Sequence, residues 1–176
     1  MINRLTRAAM LLALLIAWQY VTAPLGLTLF TGSGVNLILA CCVMTCGYLP
    51  GLLMAIISPF LARLLGIGPS WLLVPFIAAG NLAFVLVWRL ASGGKYGAKR
   101  DIPRLACTAV AAAAIKFGVL YAGIVKIAVP LIVNPPEKQA AVLTAMFSFP
   151  QLFTALIGGA LAVALLPVIT AKTQKQ

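Results

Sequence analysis

The stretch GVNLILACCVMTCGYLPGLLMAIISPFLARLLG, residues 34–66, decides how this chain folds. Its 33 residues carry one charge, Arg63, so the whole stretch is apolar enough to lie in a lipid bilayer. A single helix of this length would extend about 50 Å, whereas the hydrocarbon core is only about 30 Å thick. The segment CGYLPG at 46–51 contains two glycines and a proline, which interrupt helices. We therefore predict two short membrane helices, over residues 35–46 and 51–65.

The composition extends this interpretation to the whole chain of 176 residues. Hydrophobic residues make up 63% and charged residues 9%, whereas about a quarter of a soluble domain is charged. The remaining apolar runs predict further helices over residues 8–22, 71–91, 102–127 and 139–166. The first run resembles a signal peptide with a cleavage site at 21–23, but Pro24 disfavours cleavage, so we expect it to be retained. The predicted fold class is an all-α polytopic membrane protein, one domain over 1–176 with six transmembrane helices.

The charge pattern sets the expected orientation. The chain carries 13 Lys and Arg, 2 Asp and Glu, and a net charge of +11. Most basic residues lie at predicted helix ends, as the positive-inside rule requires, which argues against a nucleic-acid partner. With six helices, one side receives Arg4, Arg7, Lys95, Lys99, Arg100, Arg104, Lys172 and Lys175. The loops of the other side receive only Lys138, beside Glu137, so we predict that both termini are cytoplasmic.

The residue inventory argues against several kinds of chemistry. Both acids, Asp101 and Glu137, fall in predicted loops, and the chain has no histidine. Cys42 and Cys46 are one helical turn apart, but two thiols alone make a poor metal site, so we expect no metal and no cofactor. No catalytic triad or nucleotide-binding G-x-x-x-x-G-K-[ST] loop is present. We predict that the chain is not an enzyme, and any uphill transport must draw energy from another subunit.

Lys116 lies in AAAAIKFGVLYAG (111–123), with no other charge for eleven residues before it and nine after. It is about 18 Å along the helix from Arg104, and an unpaired charge at such depth costs several kcal/mol. Lys116 should therefore face a polar cavity, where carbonyl groups, Asn81, Gln151, water or a ligand meet it. An anionic or carbonyl-rich ligand would be a natural partner. The alternative is that the lysine reaches lipid phosphate at the outer interface.

Several other side chains could either contact a ligand or have a purely structural role. Asn81 and Gln151 are amides at predicted membrane depth, where each needs a partner, either a ligand or a neighbouring helix. Trp71, Tyr121, Phe147 and Phe149 could stack on a flat ligand, but aromatic residues near helix ends also anchor helices at the membrane interface.

The first helix carries a stripe of small residues, Ala9, Ala13 and Ala17, spaced by four. Such a stripe lets another helix approach closely. The neighbouring helix could belong to a partner protein or to this chain.

The chain resembles the S components of energy-coupling factor transporters. The resemblance lies in this alanine stripe and in the segments GYLPGLLMAIISPFLARLLG (47–66), PFIAAGN (75–81) and FSFPQLFTALIGGALA (147–162). These subunits bind vitamins and related micronutrients for import across prokaryotic plasma membranes. The resemblance covers most of the chain. It implies that the alanine stripe packs on a transmembrane coupling subunit and that two cytoplasmic ATPases complete the complex. It also implies that a vitamin-like substrate binds near the outer face, among helices 4–6 and under the loop joining helices 1 and 2.

Two alternatives from other classes remain open. A small channel or facilitator would need no energy source and would conduct its substrate without nucleotide. A membrane scaffold would bind no small molecule.

Overall fold

A computed structural model describes residues 2–93 and 101–173 of the chain. It is almost entirely helical, at 90% helix, and contains no strand within the described residues. In these two ranges seven α-helices follow one another: α1 Ile2–Thr22, α2 Thr28–Thr45, α3 Tyr48–Leu64, α4 Val74–Ser92, α5 Ile102–Leu120, α6 Glu137–Met146 and α7 Phe149–Thr173. Short 3₁₀ turns cover Ala23–Leu25 and Trp71–Leu73, and a π-helical segment, Tyr121–Val133, continues α5.

Among the described residues, five helical segments are long and apolar enough to cross a membrane, by length and composition. They are Arg4–Leu25, Thr28–Thr45, Trp71–Ser92, Ile102–Val133 and Glu137–Ile169. The remaining apolar helix, α3, has 17 residues, or about 25 Å. The prediction of an all-α, multi-pass membrane protein is therefore confirmed in its general form.

Helices α1 to α5 alternate in direction, and α7 starts at the end where α5 finishes, so two sets of helix ends gather at opposite ends. Gln19 of α1, Thr28 of α2 and Ser58 of α3 line one cavity together with residues of α4 to α7. At the other end, Arg104 Nε donates to the Ala91 carbonyl at 2.8 Å. Ala8 of α1 and Leu166 of α7 belong to the same buried apolar cluster. We call the end of the bundle that holds the cavity the cavity end, and the opposite end, near Arg104, the terminal end.

Helix α2 is the centre of the bundle and α1 lies at its edge. Residues buried inside the protein make up 56% of the most apolar part of α2 but 11% of that of α1. Glycines allow α7 to pack closely between α2 and α5. A Cβ on Gly158 would lie 2.5 Å from the Ser33 carbonyl oxygen of α2, and one on Gly159 would lie 2.9 Å from Ala109 Cβ of α5. Small residues at such crossings are typical of membrane helix packing.

The predicted break within residues 34–66 is confirmed, and Gly47 supplies it. Gly47 has φ 110°, a conformation that favours glycine. However, α2 begins at Thr28, seven residues before the predicted start at 35. Residues 31–34 (TGSG) are part of this helix, and Thr31 and Ser33 donate hydrogen bonds to the Leu27 and Leu29 carbonyls one turn earlier. Helix α1 also begins earlier than predicted, at Ile2 rather than residue 8.

The C-terminal third corrects two further boundaries. Pro130 was expected to end the fifth helix near residue 127, but it lies inside the π-helical segment, which reaches Val133. The chain turns instead at Asn134, with φ 37°. The single helix predicted over 139–166 is also wrong, because α6 ends at Met146 and α7 starts at Phe149. Pro150 is the second residue of α7, a position in the first turn where the missing backbone N–H of a proline is tolerated.

The basic loop that carried much of the orientation argument falls largely outside the described residues. Lys95, Lys99 and Arg100 of this loop lie outside the described residues, and so does Lys175 near the C-terminus. Among the described residues, Arg4, Arg7 and Arg104 are exposed near the terminal end, and Lys138 is exposed at the start of α6.

Candidate functional site

A cavity of about 490 Å³ opens among the helices at the cavity end. Every helix from α1 to α7 contributes to its lining, together with the loop that follows α3. The polar lining side chains are Gln19, Thr28, Thr31, Asn36, Ser58, Asn81, Lys116 and Gln151. Most of the others are apolar, among them Val35, Ile77, Leu120, Leu143 and Phe147. This size and mixed lining are typical of a small-molecule site.

Lys116 forms the base of the polar side of this cavity. Its side chain is 4% exposed, and its Nζ donates to Asn36 Oδ1 at 2.6 Å and to Asn81 Oδ1 at 2.7 Å. Because an ammonium can only donate, these contacts determine which way both amides point. The Nζ also lies 5.5 Å from the centroid of the Phe84 ring, close enough for a cation–π interaction. The lysine is thus held inside the bundle and does not reach an interface.

The hydrogen bonds of Asn36 extend this arrangement to a fourth helix, α7. Asn36 Nδ2 donates to the Gly32 carbonyl at 2.9 Å and to Thr154 Oγ1 of α7 at 3.5 Å. Thr154 Oγ1 in turn donates to the Gln151 carbonyl at 3.0 Å. Counting Asn81, the polar network connects α2, α4, α5 and α7.

The network leaves hydrogen-bonding capacity facing the cavity. An ammonium has three N–H donors, and the side chains of the described residues accept two of them from Lys116. Asn81 Nδ2 makes no hydrogen bond in that part of the chain. Two buried atoms on other lining residues, Gln19 Oε1 and Ser58 Oγ, also have no partner among the described residues. Buried polar atoms in proteins normally have partners, so this group of atoms is suited to a polar ligand.

The structure brings together four of the six residues that sequence analysis proposed for a substrate site. Lys116, Asn81, Gln151 and Phe147 all line the cavity. Asn81 is a partner of the lysine, as considered above, whereas Gln151 Nε2 donates to the Met146 carbonyl at 3.2 Å. The alternative in which Lys116 reaches the outer interface does not fit its burial.

Trp71 and Tyr121 do not line this cavity. Trp71 is 47% exposed and lies against the Arg63 guanidinium, with 5.8 Å from Cζ to the ring centroid. Tyr121 contacts Phe117 and Lys126. Phe149, 65% exposed, stacks on Phe117. These positions fit the alternative reading of aromatic anchors at the membrane interface.

Sequence analysis did not identify Gln19, Asn36 and Ser58. Asn36 had a detectable signal, because it is the only amide in the apolar stretch at residues 34–66. Gln19 and Ser58 carried no such signal. A glutamine near a helix end and a serine before a proline are common in membrane helices, and only the packing places them at the cavity.

The alanine stripe of α1 lies on the outer surface of the bundle. Ala9, Ala13 and Ala17 are all exposed, whereas Ala8 and Leu15 on the other side of the helix are buried. Trp18 packs against Gly34 of α2. Within the described residues the stripe is therefore not used for packing between helices of this chain.

No group of three or more metal-binding side chains occurs in residues 2–93 and 101–173. Cys41, Cys42 and Cys46 are buried free thiols, and Cys107 is exposed. No family model matches the chain, and no curated protein or solved structure matches it either. The inference of function therefore depends on the geometry of the cavity and of the outer surface.

Proposed function

We propose that this chain is the substrate-binding subunit of an energy-coupling factor importer in a prokaryotic plasma membrane. It captures a small vitamin-like molecule outside and releases it inside, with energy from partner ATPases. The observation that carries this proposal is the Lys116 site: a buried ammonium on two amide oxygens, in a cavity with unpartnered polar atoms. A scaffold has no use for such a cavity, because well-packed apolar side chains in place of these buried polar groups would often be neutral or stabilising.

The proposed orientation has six crossings with both termini in the cytoplasm. The positive-inside rule supports it, because Arg4, Arg7 and Arg104 would lie inside together with the basic residues of the loop before α5. The cavity end would then face outward, where a substrate is captured. This arrangement also agrees with the family resemblance, which implies a site under the loop between the first two helices.

The surface of α1 supports a partner in the membrane. The exposed stripe of Ala9, Ala13 and Ala17 would allow a helix of the coupling subunit to approach closely. The N-terminal helix is also the least buried of the five long segments, so a large part of its surface is free to meet another protein. No nucleotide-binding loop occurs in the sequence, so ATP hydrolysis is assigned to two separate subunits.

The proposal is tested by purifying the tagged chain from membranes of its source cells and identifying the subunits that remain bound in detergent. We expect a transmembrane subunit and two ATPases at fixed stoichiometry. Ala13→Trp should abolish their co-purification, because the indole prevents close helix contact. Leu14→Trp is the matched control: it adds the same ring at a neighbouring exposed position and should retain the complex.

Two results would contradict the proposal. Substrate flux in liposomes that contain this chain alone, without nucleotide, would identify a channel or facilitator. Absence of both an ATPase partner and a bound small molecule would identify a scaffold.

A further inference from the structure

The charges around the cavity are unbalanced. Lys116 is the only charged side chain among the residues that line it in the described part of the chain. Asn36 and Asn81 supply neutral oxygens, and no carboxylate lies within the bonding distances of the ammonium. The protein therefore holds one buried positive charge at a cavity wall without a counter-ion of its own.

A ligand that fills the cavity makes this imbalance more costly. Entry of the ligand removes water from the cavity wall, and a buried charge that loses solvent without gaining a partner is strongly unfavourable. A neutral ligand would remove solvent and supply no charge. A ligand with one negative charge would neutralise the ammonium, and a second negative charge would be left without a cation among the described lining residues.

The unused donors suit a carboxylate. One carboxylate oxygen can accept from Lys116 Nζ, which has used two of its three N–H groups on the amides. The second oxygen has two candidate donors among the lining residues, Asn81 Nδ2 and the Ser58 hydroxyl. Ser58 is 2% exposed, and its oxygen has no partner in the described residues. Charge-assisted bonds of this kind are about twice as strong as neutral ones.

Gln19 needs a hydrogen-bond donor from the ligand, whereas Lys116 needs an acceptor. Gln19 Oε1 is buried without a partner among the described residues and can only accept a hydrogen bond. The other side chains that line the cavity are mainly apolar, including Val35, Ile77 and Leu120. A matching ligand would carry an acid group and an N–H or O–H group on an apolar body.

We propose that the cavity binds a small, water-soluble monocarboxylic acid with an apolar body. Its carboxylate lies on Lys116, and its N–H or O–H donor lies on Gln19 Oε1. This inference rests on the proposed function and narrows its substrate class. It excludes cations, nucleotides and phosphate esters with two negative charges.

The test begins with the molecule that co-purifies with the protein. Wild type, Lys116→Met and Lys126→Met are purified in detergent from the same cells, denatured, and analysed by anion exchange and mass spectrometry. Lys126 is the matched control, because it is exposed on the same helical segment and lies over the Tyr121 ring outside the cavity. We expect one monoanion that titrates as a carboxylic acid, retained by Lys126→Met and reduced tenfold or more in Lys116→Met.

A second measurement uses only wild-type protein, so it does not depend on the folding of a variant. The released acid and its primary amide compete for the site, and the amide keeps the shape but lacks the charge. We expect the amide to bind at least tenfold more weakly. Equal binding would overturn the assignment of the carboxylate to Lys116.

The outcomes separate this inference from the function on which it rests. A released molecule that is neutral, cationic or doubly anionic overturns the inference but leaves a substrate-binding subunit. A fatty acid, recognised by its partition into chloroform, supports the carboxylate site but contradicts import of a soluble nutrient. No released molecule from any of the three proteins overturns the inference, and if no ATPase co-purifies either, it overturns the proposed function as well.

Discussion

A lysine ammonium among apolar helices needs hydrogen-bond acceptors, and Lys116 takes them from two neighbouring helices. Its bonds to Asn36 and Asn81 are short, at 2.6 and 2.7 Å. Both amides are almost fully buried, at 1% and 3% exposure. The same residue can therefore connect three helices and present a charge to the cavity, and these two roles can be separated by mutation.

The first prediction concerns binding. Lys116→Met keeps the length of the side chain and removes its charge, so the protein should still fold. Its affinity for the released ligand should fall tenfold to a hundredfold, which corresponds to about 1.5–3 kcal/mol for a hydrogen bond to a charged group. Equilibrium dialysis with labelled ligand measures this. Lys116→Arg should also bind weakly, because a planar guanidinium does not fit the position of a compact ammonium. Wild-type affinity in Lys116→Met would place the ligand elsewhere.

The second prediction concerns stability. Asn36→Leu removes one acceptor from the buried ammonium, and we expect a loss of about 1.5–3 kcal/mol in the free energy of unfolding. In the double variant, Asn36→Leu with Lys116→Met, the charge is also gone. Its loss in the free energy of unfolding should therefore be smaller than the sum of the losses in the two single variants. Reversible unfolding in mixed detergent micelles measures the cycle. Strict additivity would mean that the 2.6 Å contact contributes no coupling energy.

How far the sequence allows this site to be predicted differs from residue to residue. Lys116 and Asn81 were identifiable, because a charge and an amide at membrane depth need partners wherever the helices pack. Asn36 could be identified as a partner only from the packing, which brings its side chain within reach of Lys116. Gln19 and Ser58 depend entirely on the packing of α1 and α3. The sequence shows that a buried charge or amide needs hydrogen-bond partners, but it does not show which neighbouring helices supply them.

At the scale of helices, glycines and prolines decided both the correct and the wrong boundaries. Gly47 ended α2 as expected, because its φ of 110° has no helical continuation. Gly32 and Gly34 do not interrupt α2, because they pack against Thr154 and Trp18 inside a continuous helix. Pro130 did not end its helix, whereas Pro150 lies at a true break. The same residue types thus break helices or allow close packing according to tertiary contacts that the sequence does not reveal.

The third prediction tests the crossing of α2 and α7. Gly158→Ala adds a Cβ that would lie 2.5 Å from the Ser33 carbonyl oxygen and 2.7 Å from Asn36 Cβ, so the helices must separate. We expect a loss of about 1–3 kcal/mol in the free energy of unfolding, as for other overpacked sites. Gly118→Ala is the control, because nothing lies within 4 Å of its added Cβ. It should be neutral or stabilising by up to about 1 kcal/mol. Equal effects in the two variants would contradict the proposed crossing.

At the scale of the whole molecule, the two ends of the bundle differ in their proposed roles. The cavity end holds the Lys116 site, and the terminal end gathers Arg4, Arg7 and Arg104. Exposed apolar side chains, such as Met10 at 68% and Leu131 at 76%, cover the outer surface and would face lipid or a partner. Such large exposed apolar areas are expected of a membrane protein.

The fourth prediction concerns orientation. In a background with Cys107→Ser, which removes the exposed thiol, we expect Lys138→Cys to react with a membrane-impermeant maleimide in intact cells. Lys95→Cys should react only after the membrane is permeabilised. The reverse pattern would place the cavity end in the cytoplasm and contradict capture from outside.

The central claim is that this chain captures a molecule in its cavity and relies on separate ATPases to import it. The most direct measurement is uptake of the released molecule by liposomes that contain the co-purified complex, with ATP on the ATPase side. We predict accumulation with ATP and none with a non-hydrolysable analogue. Liposomes with this chain alone should show no uptake, and those with the Lys116→Met complex should show at most about a tenth of wild-type uptake at subsaturating substrate. Uptake by the chain alone, independent of nucleotide, would contradict the account.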